Sequence, residues 1–374
     1  MASKSGLLSN PFDLFFLRAS YSLNKSIKFE TSMIFKLSNI LGCLLIATQL
    51  TFGADLSDLT FDTSGETAIV TSCSNSASGA LEIPETYQGK AVTGIRAQAF
   101  HSCANLTSVV IPSSITSIGD NAFYNCSGLT SVTISDGVLD IAGGAFAFCT
   151  QLASITFPDS VVAIGDDVLD GCSNLGSISV GSGNTNFSAP GGVLHDKNQQ
   201  TLFKYPEGII NGESGTYTVI PTVVTLGARS FSGAAIGTVV LPDSVTSVKS
   251  FAFLSAEINT VRFGKNIASI GDLSFEGCFN LTAIYFEGNA PASVGGGIFA
   301  GVTSEAKVYV NNTATGFQTT FADLPVVRID MTPPVITLSG ETSVNHELET
   351  PYTDAGATAS DSVDGSVSVT TSGE

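Results

Sequence analysis

From residue 106 the chain repeats itself. Residues 106–128 read LTSVVIPSSITSIGDNAFYNCSG, residues 129–151 read LTSVTISDGVLDIAGGAFAFCTQ, and residues 152–174 read LASITFPDSVVAIGDDVLDGCSN. Laid over one another, their apolar columns coincide. Leu106, Leu129, Leu152 and Leu175 stand 23 apart, as do Ile111, Ile134, Phe157 and Val180. Ile118, Ile141 and Ile164 keep the step, and so do Phe100, Phe123 and Phe146. Cys103, Cys126, Cys149 and Cys172 keep it too. Self-similarity at a fixed period of roughly 20–50 residues marks a solenoid, because one unit cannot bury its apolar face alone and a stack of them can. Each 23-residue unit is therefore one coil.

Within a coil, Leu106-x-x-Val109-x-Ile111 reads as a strand whose alternate residues point inward, and Pro112 ends it. Ile115 and Ile118 make a second short apolar edge. Gly119 marks a tight turn where positive φ is expected. Ala122, Phe123 and Cys126 sit at i, i+1 and i+4, which suits a single helical turn burying Phe and Cys. The expected fold class is mainly β: a solenoid of short strands plus single helical turns, about 23 residues per coil. Followed along the chain, the Phe position runs 100, 123, 146, Leu169, 231, 253, 275 and 299, about eight coils. Residues 55–94 read as an N-terminal cap over the first open face, which solenoid ends require. Residues 181–219 break the period. There GVLHDKNQQTLFKYPEG suggests a hairpin, with Val193 and Leu194, a polar turn at 196–199, then Leu202 and Phe203. The pattern resumes at Ile220 and closes with strands at 307–310 and 324–329.

The consensus L-x-S-I-x-I-P-x-S-V-x-x-I-G-x-x-A-F-x-x-C resembles the BspA-type leucine-rich repeat. It is fullest at 106–126 and 261–278 and covers roughly 60–329. The hairpin insert is similar to a variant module of that family. Leu169 departs from the Phe position, and Ser135, Gly181 and Gly264 depart from the Pro position. The resemblance implies a leucine-rich-repeat solenoid over 55–329 and a surface-exposed or secreted protein that binds host or neighbouring-cell proteins. It brings no catalytic residues and no cofactor. From residue 330 to 374 the pattern changes, and VITLSGETSVNHELETPYTDAGATASDSVDGSVSV resembles the first half of a bacterial Ig-like domain. A two-sheet sandwich needs about 100 residues, so this segment reads as a partial Ig-like β domain of a longer chain.

Residues 33–54 read MIFKLSNILGCLLIATQLTFGA: Lys36, an apolar run over 40–52, and small residues at a cleavage spacing. That is the pattern of a secretory signal peptide, too short for a membrane span. Residues 1–32 then read as an over-long N-terminal extension, and the protein is expected to be secreted or at the cell surface. Without residues 1–54 the chain keeps 10 basic and 31 acidic residues. Such an acidic molecule is a poor partner for nucleic acid, which needs a basic patch.

The cysteines invite a disulfide or metal reading. Equivalent side chains of stacked coils point in parallel, however, whereas a disulfide needs converging Cβ atoms. The preferred reading is a ladder of buried thiols beside the Phe100–Phe123–Phe146 column, since free Cys packs as a small apolar residue. Cys73 and Cys103 are the best-placed pair. Catalysis finds little support: the three histidines, at 101, 195 and 346, fall in three modules, and no nucleophile, zinc or phosphate-loop motif occurs. Asp166, Asp167 and Asp170 form a compact acidic group, read as solvated turn carboxylates. Asp354, Asp361 and Asp364 are weak calcium candidates that turn chemistry explains equally well.

The outward strand positions are where binding is expected. The early coils offer Ser108, Ser131, Thr133, Ser154, Thr156, Ser177 and Ser179, a flat hydroxylated face with little to anchor a partner. The later coils add Arg262, with Lys265 just past its strand, and Tyr285 one coil on at a neighbouring outward column, about 5–7 Å away. Arg and Tyr are enriched where binding energy concentrates. The expectation is a monomeric, non-enzymatic solenoid that binds an extracellular protein ligand through Arg262, Tyr285 and Lys265. The alternatives are a non-catalytic targeting module of a larger polysaccharide-acting protein, and an ice- or crystal-surface binder using the Ser/Thr face.

Overall fold

The computed structural model describes residues 54–209 and 215–330, together with the backbone of 335–338, 357–361 and 365–367. The signal-like segment 33–54, apart from Ala54, and the extension before it lie outside these residues. Each coil contributes one longer strand and one two-residue strand, and both kinds stack in parallel on their counterparts. In the first half, Gly79–Glu82, Leu106–Ile111 and Ser131–Ile134 form one ladder, and Ser154–Phe157 pairs with Ser177–Val180. The registers Ser108↔Ser131 and Ser154↔Ser177 reproduce the 23-residue step. The short strands Ser117–Ile118, Asp140–Ile141 and Ala163–Ile164 stack beside them. In the second half the step varies: Thr216↔Thr238↔Thr260 advance by 22 residues, Thr260↔Ala283 by 23 and Ala283↔Lys307 by 24. The fold is thus a mainly β solenoid.

Its interior is the set of columns seen in the sequence. Leu106, Leu129, Leu152 and Leu175 are buried, and so are Ile111, Ile134 and Phe157. Phe100, Phe123 and Phe146 have no exposed surface and stack with centroids 4.5 and 5.2 Å apart. Phe231, Phe253 and Phe275 do the same at 4.8 and 4.7 Å.

The segment expected to form a helical turn is instead a pair of hydrogen-bonded turns. Tyr124 N–H donates to Asn121 O and Cys126 N–H to Phe123 O, while the amides between them reach across to the next coil, Phe123 to Ala145 O and Asn125 to Ala147 O. Left-handed residues flank the Phe, at Asn121 (φ 53°) and Asn125 (φ 57°). Apolar spacing alone does not distinguish this from a helical turn, because both bring residues i, i+1 and i+4 to one side. Gly119 also has a different role from the one expected. It is not left-handed; a Cβ there would lie 2.5 Å from Ala97 N. Glycine lets one coil approach the next closely, and Gly165 and Gly271 repeat the contact at 2.4 Å.

The thiols have a defined partner. Cys126, Cys149 and Cys172 donate to the carbonyls of Phe100, Phe123 and Phe146, and Cys278 donates to that of Phe253, at 3.0–3.3 Å. A small donor that is mostly apolar suits a column where one buried carbonyl of each coil, already accepting a backbone N–H, has a second lone pair to fill. Cys103 has no such Phe behind it. Its thiol turns to Ser74 O at 3.8 Å, where Cys73 also donates at 3.6 Å, and both are free thiols.

The period breaks where the sequence breaks. Leu194–Asp196 and Thr201–Lys204 form an antiparallel hairpin, and Thr201–Lys204 then pairs in parallel with Thr225–Leu226 to start the second half. Among the described residues neither parallel ladder of the first half continues into the second; the antiparallel hairpin links them, and the buried residues form two clusters, one ending at Leu194 and the other starting at Val193. Across the joint Gly208 N–H donates to Leu175 O at 2.8 Å. Tyr205 opens the Phe column of the second half, fully buried, stacked 5.3 Å from Phe231, with its N–H on Ser230 O as Phe123 N–H is on Ala145 O. Beneath it lies a polar cluster. Lys204 Nζ is 2.7 Å from Glu207 Oε1 and 3.7 Å from Asp170 Oδ1, with the Lys204 and Glu207 side chains each 6% exposed. Glu207 Oε1 also accepts from Gly171 N–H, and Arg229 pairs with Asp167 and Asp170 at 3.2 Å.

Beyond residue 334, Val335–Leu338, Ala357–Asp361 and Gly365–Val367 make a three-stranded antiparallel sheet.

Candidate functional site

The outward face of the second half is built on six parallel strands, Thr216–Thr218, Ala235–Leu241, Glu257–Phe263, Ala283–Phe286, Lys307–Asn311 and Leu324–Ile329. Packing fixes the inward set: Val239, Val261, Ile284 and Val308 in one column, Leu241, Phe263, Phe286 and Val310 in the other, all buried. Strand alternation then turns the residue between each pair outward. Those residues are Val240, Arg262, Tyr285, Tyr309 and Val327, which are direct register partners.

Arg262 and Tyr285 therefore share one column instead of occupying neighbouring ones. The guanidinium carbon lies 4.0 Å from the Tyr285 ring centroid. Tyr285 in turn stacks on Tyr309 with centroids 4.9 Å apart and planes 17° apart. Such a cation–π contact is worth about 0.5–1 kcal/mol at an exposed site, enough to bias the guanidinium flat over the ring. Among the described residues Arg262 has no carboxylate partner. Its outer edge and the ring edges are free to meet a ligand. Lys307, exposed, stands in register with Ala283 on the adjoining outward column. Lys265 does not join the ladder. It lies past the strand end, its N–H on Asp243 Oδ1 at 2.7 Å and its ammonium 3.9 Å from the same carboxylate. The sequence reading missed Tyr309 and Lys307, although KVYV aligned under AIYF carries the signal.

In the first half Ser131, Thr133, Ser154 and Thr156 are exposed as expected of the outward positions, and Ser108 and Ser177 are half-buried. The thiol column is chemically quiet: burial pushes Cys126, Cys172 and Cys278 up to about 12. His101 is exposed in a turn, while His195 is buried with Nδ1 2.8 Å from Val193 O, and burial holds it below the usual imidazole range. His346, Asp354 and Asp364 lie outside the described residues, and Asp361 ends the strand Ala357–Asp361. Among the described residues no group of His, Cys, Asp and Glu side chains could hold a metal ion, and no helix is long and apolar enough to cross a membrane.

This chain belongs to the BspA-type leucine-rich repeat family. The pattern described as "BspA type Leucine rich repeat region" matches it in six copies, over residues 79–190 and 211–333. No curated protein matches it. Among solved structures it is similar to a leucine-rich repeat protein from Eubacterium ventriosum. The two share 24% identity over 73% of this chain and 83% of that one, with a TM-score of 0.51, a likeness of fold alone. Looser matches are the pneumococcal vaccine antigen PcpA, at 17% identity, 68% and 92% coverage and a TM-score of 0.47, and a leucine rich cell surface protein from Faecalibacterium prausnitzii, at 20%, 79% and 97% and 0.38.

Proposed function

We propose that the chain is a secreted or cell-surface, non-enzymatic protein that binds an extracellular protein through the outward strand face of its second half. The observation that carries this reading is the Arg262–Tyr285–Tyr309 ladder. A planar cation and two amphipathic rings stand in a row on a rigid sheet, with Lys307 beside them, on a molecule otherwise dominated by carboxylates. Aromatic residues and Arg supply most of the energy at protein interfaces, and a parallel ladder presents them already ordered, which lowers the entropy cost of binding. Membership of the family and the signal-like segment 33–54 support the extracellular setting. The Ig-like resemblance of 330–374 supports a spacer beyond the solenoid.

The test is partner capture on immobilised protein followed by affinity measurement. Changing Arg262→Ala and Tyr285→Ala together should weaken a captured protein by at least tenfold, about 1.4 kcal/mol, with the unfolding transition unchanged. Loss on Ser131→Ala with Thr133→Ala instead, or no change on either, would sink the assignment.

A further inference from the structure

The turns of the first half carry a second set of exposed rings. His101 stacks on Tyr124, with centroids 5.2 Å apart and planes at 10°, and Tyr124 meets Phe148 at 5.1 Å and 55°. Phe148 is 40% exposed and left-handed (φ 58°), at a position where neighbouring coils place Ser102, Asn125 and Gly171. A bulky aromatic is rare in that region of φ. Its ring has room because the next coil has glycine there: a Cβ on Gly171 would come within 2.6 Å of Phe148 Cδ1.

Tyr124 and Phe148 line a cavity of about 440 Å³ together with Asp120, Asp166, Asp167 and Asp170. The carboxylates are not equivalent. Asp120 Oδ1 accepts from Gly143 N–H at 3.1 Å. Arg229, also on the cavity wall, pairs with Asp167 and Asp170. Asp170 is 9% exposed, and its Oδ1 accepts no hydrogen bond, with Lys204 Nζ 3.7 Å from it. Asp166 is exposed and has no cationic partner among the described residues. The cavity thus combines two aromatic rings with more carboxylate than the local cations neutralise.

We propose that this cavity binds an organic cation: a guanidinium or ammonium head on a short apolar stem, as in an arginine or lysine side chain. Ring quadrupoles attract such a head. A carboxylate can take its N–H groups in charge-assisted hydrogen bonds, which an anion cannot offer and a neutral sugar offers only weakly. Gly143, Gly144 and Ala147 add a small, apolar stretch of wall for the stem. The site is separate from the Arg262 ladder and does not depend on it.

The test is calorimetric titration of the full chain with four probes: ethylguanidinium, the tripeptide Gly-Arg-Gly, its uncharged citrulline counterpart, and glucose. Both cations should bind, the citrulline peptide at least about tenfold more weakly, and added salt should weaken the cations. Equal affinity for ethylguanidinium and Gly-Arg-Gly would point to a free small cation as the ligand, and tighter tripeptide binding to a polypeptide side chain. Phe148→Ala and Asp166→Asn should each weaken binding by about three- to tenfold. Both residues are exposed, so unchanged unfolding curves will show that the variants are intact. Arg262→Ala with Tyr285→Ala should leave cation affinity unchanged. The proposal is overturned if no cation binds saturably, if citrulline matches arginine, if glucose alone binds, or if neither variant weakens binding.

Discussion

Lys204 offers the sharpest test of what joins the two halves. Its ammonium and the Glu207 carboxylate are both nearly inaccessible, at 2.7 Å, with Asp170 at 3.7 Å. Lys204→Met keeps the apolar stem and removes the charge. Asp170 retains Arg229, but Glu207 is left with a single hydrogen bond, from Gly171 N–H. Stranding one member of a buried pair costs about 3–5 kcal/mol. The surviving hydrogen bond argues for the low end, about 3 kcal/mol, or roughly 6–12 °C in melting temperature for a domain of this size. Adding Glu207→Gln removes the stranded charge and keeps the acceptor for Gly171, so the double variant should recover most of the loss. The assay is urea unfolding followed by circular dichroism, with hydrogen exchange to locate the change. Exchange should quicken at the hairpin, and the two halves should begin to unfold separately, as weakened interfaces do in a stack. A Lys204→Met protein with the wild-type midpoint, or a double variant no better than the single, would refute this account of the joint.

Two further predictions concern the interior. Phe123→Ala, between Phe100 and Phe146, should cost about 3–5 kcal/mol and loosen both flanking coils, measured as a fall in urea midpoint, whereas Phe279→Ala, 72% exposed, should change it little. His195 is held neutral by burial. Its folded pKa lies below its unfolded one, so stability should decline as pH drops below about 6.5, and His195→Gln should flatten that decline in unfolding midpoints taken across the range.

The inward columns were legible because packing forces them to repeat. Leu106, Ile111, Phe123 and Cys126 have fixed neighbours one coil away, and a 23-residue step exposes them at once. Tyr205 was missed because the hairpin shifts its spacing, although it meets the same neighbours as a column Phe. The helical turn was misread because the apolar spacing around Phe123 is common to both turn types, and what separates them, the cross-coil amide bonds, leaves no mark on residue type. Asn121 and Asn125 suit left-handed backbone, but Phe148 at the same position gives no such hint. The Arg262–Tyr285 contact depended on register within a half whose step drifts from 22 to 24. The cavity beside Phe148 draws its walls from turn positions of several coils, where no repeat constrains the side chain.

The joint also has a mechanical meaning. Within each half, neighbouring coils share rows of backbone hydrogen bonds lying along the direction in which the coils stack, and separating two coils by a pull along it means stretching a whole row. At the hairpin, among the described residues, the parallel ladders stop, and the Gly208–Leu175 and Gly171–Glu207 hydrogen bonds and the pairing of Arg229 with Asp167 and Asp170 cross instead. A chain pulled along the stack would yield there first. It would extend by parting into two intact blocks while the coils on either side held.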